Sequence, residues 1–180
     1  HTLNSPKIKK QLKQTYNIEV SGVIKFRTHK LHVLTKQLVN KQSQKVIVLK
    51  DMEQLPSKNV LRKQVEKHDD LTDIHILVIV KKMIEAWFIA DIQTLQKIGN
   101  NPKLKPPKNP EALNNPYSAL KRLLGLNKNP GKVTMANRFI DNGFSFSGAA
   151  AHPQCHSAKE FVRILKELGK GDSGAQVLGS

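Results

Sequence analysis

Apolar positions along the chain either recur every three or four residues or pack into unbroken runs, and each pattern predicts a different element. Ile8, Leu12 and Tyr16 fall at i, i+4 and i+8 behind Ser5-Pro6, an N-cap followed by a first-turn proline, which predicts a first helix. Residues 18–26 alternate and are rich in branched side chains, the pattern of a strand with Gly22 as a bulge. Leu31, Leu34 and Leu38 mark one face of a helix over 29–40. Val46-Ile47-Val48-Leu49 is an unbroken run suited to a strand covered on both faces. Pro56-Ser57 then opens a helix to about His68 with Val60, Leu61 and Val65 inward, and residues 74–80 make a second apolar strand in which His75 reads as a packed core residue. Strand, helix and strand with short joints form a right-handed βαβ unit, so the two strands should run parallel.

Beyond this unit the pattern turns helical. Met83, Ile84, Trp87, Phe88, Ile92 and Leu95 give one broad apolar face to a helix over 81–98 that stops at Gly99. Five of the nine prolines lie between Asn100 and Pro116, so that stretch is a long irregular loop. Two helices follow, one from Pro116 to Gly125 and one from Lys132 to Gly143. Residues 144–156, rich in Ser, Gly and Ala, read as loop, and Ser157-Ala158-Lys159-Glu160 is a capping box for a last helix ending at Gly169. The expected architecture is α/β: one domain over 1–168 with a mainly parallel central sheet flanked by helices, a helical C-terminal part, and a disordered tail over 169–180.

Charge sharpens this picture. Thirty Lys/Arg against fourteen Asp/Glu give a net charge of +16. Residues 1–50 carry 11 cations and one acid (+10), residues 51–95 carry 6 and 8 (−2), and residues 96–180 carry 13 and 5 (+8). An acidic island between two basic flanks points to a polyanion, since phosphate contacts release counterions. No apolar run is long enough for a membrane span, nothing at the amino terminus resembles a signal peptide, and the single Cys155 rules out an internal disulfide, so a cytoplasmic protein without a membrane partner is expected.

The island begins at the tip of the first apolar strand. Alternation sends Asp51 and Glu53 to one side, at the end of a strand where α/β sheets hold their ligands. Two carboxylates at that spacing suit a hard cation such as Mg2+ or Mn2+, which takes oxygen ligands and completes its shell with phosphate. Turn or N-cap carboxylates account for the same spacing. Glu85, at the start of the following helix, is a third candidate, with a first-turn glutamate favoured by the helix dipole as the simpler account. Lys132, after a glycine turn at a helix start, and Lys50 beside the acidic tip are candidate phosphate contacts. His152, Cys155 and His156 lie close together but lack a fourth ligand for a structural zinc, and Trp87 and Phe88 have the spacing of core residues.

The strand "VIVLKDME" resembles the second acidic motif of the Toprim fold, with Glu53 where an aspartate usually stands. More of the chain is similar to a prokaryotic family with a Toprim-like fold, domain of unknown function 4276. The similarity runs through the Asp51/Glu53 strand, "IEAWFIAD" at Ile84–Asp91, "GKVTMA" at Gly131–Ala136 and "CHSAKEF" at Cys155–Phe161, in order over residues 18–168. It implies a central parallel sheet, a magnesium-dependent site built on Asp51, Glu53 and Glu85, and a role in nucleic-acid transactions, often in phage defence with a protein partner such as an ATPase. Toprim enzymes also carry a glutamate at the tip of an earlier strand. No such strand precedes the helix at Ser5, and Glu19 lies inside a strand rather than at its tip. The expected function is a nucleic-acid-binding protein, acting on DNA or RNA, either as a metal-dependent nuclease or as an inactive basic binding or interaction subunit of a defence or repair complex.

Overall fold

The structure, a computed structural model, describes residues 4–25, 45–52, 57–60, 62–63, 75–170 and 175–179. They divide into two compact units, residues 3–79 with 163–180 and residues 80–162, where the sequence suggested one domain. The fold class is α/β, as expected.

In the first unit, helix α1 (Pro6–Tyr16) opens with Pro6 and buries Ile8, Leu12 and Tyr16. It ends at Asn17, whose φ of 54° is left-handed. The N–H groups of Asn17 and Ile18 turn back to the Lys13 and Leu12 carbonyls, satisfying acceptors that a helix end would otherwise leave open. Strand β1 (Val23–Lys25) is shorter than the run 18–26 predicts, because Ile18 is already buried in the turn leaving α1 and Glu19 is exposed there with Lys13 at 3.4 Å. Strands β2 (Lys45–Asp51) and β3 (His75–Val80) fall on the two apolar runs. Val46 to Leu49 and Leu77 to Val80 are all buried, which is why neither run alternates.

The sheet order is β1-β4-β2-β3, where β4 is Ala175–Gly179. Strand β4 runs parallel to both neighbours, with Val23 and Ile47 each facing Val177. A segment expected as a disordered tail therefore supplies a central strand. Ser57 caps the turn beginning at Lys58 by accepting from the Val60 N–H, but Val60, expected inward, is 36% exposed. The helix expected over 29–40 and the side chain of His75 lie outside the described residues.

In the second unit the helix expected over 81–98 is two helices, α2 (Glu85–Ala90) and α3 (Ile92–Ile98), parted at Asp91. Helices α4 (Pro116–Leu123), α5 (Lys132–Asp141) and α6 (Phe146–Ala151) follow, with residues 156–162 of α7 (His156–Lys170), whose remainder belongs to the first unit. Helix α6 lies within the stretch read as loop; Ser145 caps it by accepting from the Gly148 N–H. Every residue of α2 is buried. Around it stands an aromatic core: Trp87 stacks on Phe161 at 5.3 Å, Phe88 stacks on Phe139 at 4.8 Å, and Phe144 and Phe146 close the cluster edge-on. Each such side chain is worth roughly 1.5–3 kcal/mol of burial. Trp87 and Phe88 are thus core, not base-stacking residues.

Candidate functional site

Asp51 is the last residue of β2, half-buried, beside the half-buried Lys50. Its placement at the carboxyl end of a parallel strand is the one the apolar run predicts. Glu53 lies outside the described residues.

Glu85 belongs to the second unit. It opens α2 with its side chain 5% exposed, and Lys132 Nζ stands 3.8 Å from its Oε1 while Oε2 is buried without a hydrogen bond. Lys132 is the first residue of α5, behind Gly131 at φ 80°, a conformation that favours glycine. The two residues thus bring together the starts of α2 and α5, whose dipoles favour the carboxylate. Lys132 is therefore partly committed to Glu85, although its side chain remains 58% exposed.

Carboxylate oxygens have the right chemistry for magnesium. Among the described residues, however, no group of three His, Cys, Asp or Glu side chains is placed to hold a metal ion. At Glu85 a cation would also meet the Lys132 ammonium.

Two further carboxylates, not singled out by sequence, are completely enclosed. Asp91 Oδ2 accepts from Thr94 Oγ1 and from the Ser145 N–H, both at 2.9 Å, and Oδ1 accepts from the Thr94 N–H. It caps α3 and at the same time pins the entry to α6. Gly148 passes so close that a Cβ there would lie 2.7 Å from Asp91 Oδ1.

Glu111 is 0% exposed, on the 3-10 turn Pro110–Ala112. Its Oε1 accepts from the Ser157 N–H at 2.7 Å, from the Ser157 hydroxyl and from the Cys155 thiol, and Ser157 Oγ accepts from Trp87 Nε1 at 2.8 Å. Ser157 therefore does not act as the cap of a capping box; it sits inside the first turn of α7, and its hydroxyl relays the indole N–H to the carboxylate. Cys155 is held as a thiol, its pKa pushed up to about 12 by burial and by Glu111, which makes it a poor nucleophile. His152 is held neutral: its Nδ1 accepts from the Gln154 N–H at 3.2 Å, and partial burial followed by the nearby Lys159 lowers its pKa. The only sequence signal for this network was the nearness of Cys155 to Ser157.

The fate of these acids sets the surface charge. Residues 80–162 hold twelve Lys/Arg and five Asp/Glu. None of the twelve cations is buried, whereas Glu85, Asp91 and Glu111 are, leaving only Asp141 and Glu160 among the outer carboxylates. Exposed cations line the Pro-rich loop at Lys103, Lys105 and Lys108, and the start and outer face of α5 at Lys128, Lys132 and Arg138. No helix among the described residues is long and apolar enough to cross a membrane.

No family model matches the chain, and no curated protein or solved structure shows significant similarity to it.

Proposed function

We propose that the protein binds nucleic acid through its phosphate backbone, using the basic outer surface of residues 80–162. The observation that carries this reading is the burial of three of that unit's five acids: twelve cations, none of them buried and one of them, Lys132, beside Glu85, share the surface with two carboxylates. Contacts of this kind position a strand without reading its sequence, and their strength falls linearly in log–log form with salt. Fluorescence anisotropy with a labelled oligonucleotide over a salt series tests it. Replacing Lys103, Lys105 and Lys108 by alanine should flatten the slope by about one for each phosphate that is no longer neutralised. Salt-independent binding, or no binding at low salt, refutes it.

The placement of Asp51 at the carboxyl end of β2 favours a second reading, in which Asp51 and Glu53 are part of a Toprim-like magnesium site and the protein cleaves phosphodiesters. Cleavage of DNA or RNA that requires magnesium or manganese and disappears in Asp51→Asn would establish it. Binding that is unchanged or tightened in Asp51→Asn, with every strand left intact, supports the purely binding subunit, since that substitution removes a repulsive charge.

A further inference from the structure

A recess of about 210 Å³ lies between α5 and the turn before it, lined by Leu126, Lys128, Pro130, Thr134, Met135 and Arg138. Its walls are almost wholly apolar. Its two charged members are both cations, and both are exposed. Small-molecule clefts are typically about 300–1,000 Å³, so this one is undersized for a cofactor and suits a single flat ring.

The recess is held open by a rigid rim. Asn129 Oδ1 accepts from both the Tyr117 hydroxyl and the Gly131 N–H, and Gly131 takes the φ of 80° that turns the chain into α5. Arg138, another lining residue, donates from Nη2 to the Ile98 carbonyl at 3.4 Å, and Met135 contributes a buried wall that is 1% exposed. Val133, one residue from the lining, is 49% exposed and extends the apolar surface beside the recess.

An occupant must therefore offer an apolar face and negative charge together. We infer that this recess receives one unstacked base of a single-stranded nucleic acid, with Lys128 and Arg138 holding the phosphates on either side and Thr134 facing the base edge. An acidic peptide with one apolar side chain is the competing occupant. It is disfavoured because an acidic side chain would use the Arg138 guanidinium only as a charge partner, whereas a nucleotide can also stack its base on the guanidinium plane. A duplex keeps its bases stacked and cannot fill the recess, whereas single strands present them to such platforms. The inference rests on the proposed nucleic-acid function and narrows it to single strands.

The test compares three ligands with the intact protein at one salt concentration: a labelled single-stranded oligonucleotide, its duplex, and an abasic single strand of the same length and phosphate count. The base-bearing single strand should bind about 5-fold more tightly than the abasic one, the low end of what stacking on an aromatic ring contributes, because the recess offers an aliphatic and guanidinium surface instead, and more tightly than the duplex. Thr134→Leu, which fills part of the recess without changing charge and adds no aromatic ring, should erase that preference. Equal affinity for abasic and base-bearing strands, a preference for duplex, or a preference that survives in Thr134→Leu overturns the inference and leaves the phosphate-binding function standing. Absence of binding to all three ligands refutes both. Binding of a leucine-containing polyglutamate peptide as tightly as the single strand assigns the recess to a protein partner and also overturns it. The comparison of abasic and base-bearing strands uses unmutated protein, so it stands even if Thr134→Leu unfolds.

Discussion

Removing the Glu111 carboxylate should be the most damaging single polar change in the second unit. In Glu111→Ala the Ser157 N–H and hydroxyl lose an acceptor in a place no water reaches, since both residues are 0% exposed. Hydrogen bonds to a charged group contribute about 1.5–3 kcal/mol each, and an orphaned buried donor costs about 1–3 kcal/mol. The truncation also leaves a void beside Cys155. Against these losses stands one gain, because the buried Oε2 has no hydrogen bond and its desolvation penalty vanishes with the side chain. The net cost should be about 3–4 kcal/mol, a large share of the roughly 5–15 kcal/mol that holds a domain together. Glu111→Gln, which keeps an acceptor of the same shape, should cost about 1–2 kcal/mol.

Urea unfolding followed by tryptophan fluorescence measures this, because Trp87 is the only tryptophan and donates to the same serine. A double-mutant cycle isolates the network. Ser157→Ala orphans the indole N–H, and combining it with Glu111→Ala should cost about 1–2 kcal/mol less than the sum of the single changes, since the two side chains share one hydrogen bond. Strict additivity, or a Glu111→Ala protein within about 0.5 kcal/mol of wild type, would show that the relay from Trp87 to Glu111 contributes nothing and refute the reasoning.

Gly169→Ala should destabilise by about 3 kcal/mol or more, because the added Cβ would lie 1.7 Å from the Tyr16 carbonyl oxygen, a backbone atom that cannot rotate away. Helix propensity alone gives the opposite sign, a gain of about 1 kcal/mol, so a variant with raised Tm by circular dichroism would discard the packing argument. For His152 the folded-state pKa is lowered from 6.5, so the unfolded chain takes up the proton first as pH falls. Its contribution is therefore full above about pH 6.5 and declines below that, and the stability difference between wild type and His152→Gln should shrink between about pH 8 and pH 5. A difference that stays constant over that range rejects the neutral, hydrogen-bonded imidazole.

The legible parts of the fold were those whose burial depends on their own spacing. Helix α1, strand β2 and strand β3 followed from runs and periodicities that serve one local face each. The break at Asp91 did not, since apolar spacing continues across it and the cap depends on Ser145, 54 residues away. Gly169 read as a helix stop, but α7 runs on to Lys170 and the glycine is there because Tyr16 approaches it. Strand β4 was hidden by composition: Gly and Ser around Ala175–Gly179 read as a tail, and only pairing on both sides makes it a strand. Of the candidate site, Asp51 and the Glu85/Lys132 positions were legible; that Glu85 faces an ammonium, while Glu111 gathers Ser157 and Cys155, depends on contacts distant in sequence.

Those distant contacts also bear on what the surface can bind. By composition residues 80–162 carry a net charge of +7, twelve cations less five acids, an ordinary basic segment. Folding then spends three of the five acids inside: Asp91 on helix caps, Glu111 on the start of α7, and Glu85 beside Lys132. Each is held by N–H, O–H or ammonium donors of the protein rather than by solvent. At contact distance a surface ligand would touch cations and the outer Asp141 and Glu160, while the buried carboxylates act on it only from further away. The same hydrogen bonds that fix α3, α6 and α7 thus keep Asp91 and Glu111 off the surface on which the proposed phosphate binding relies.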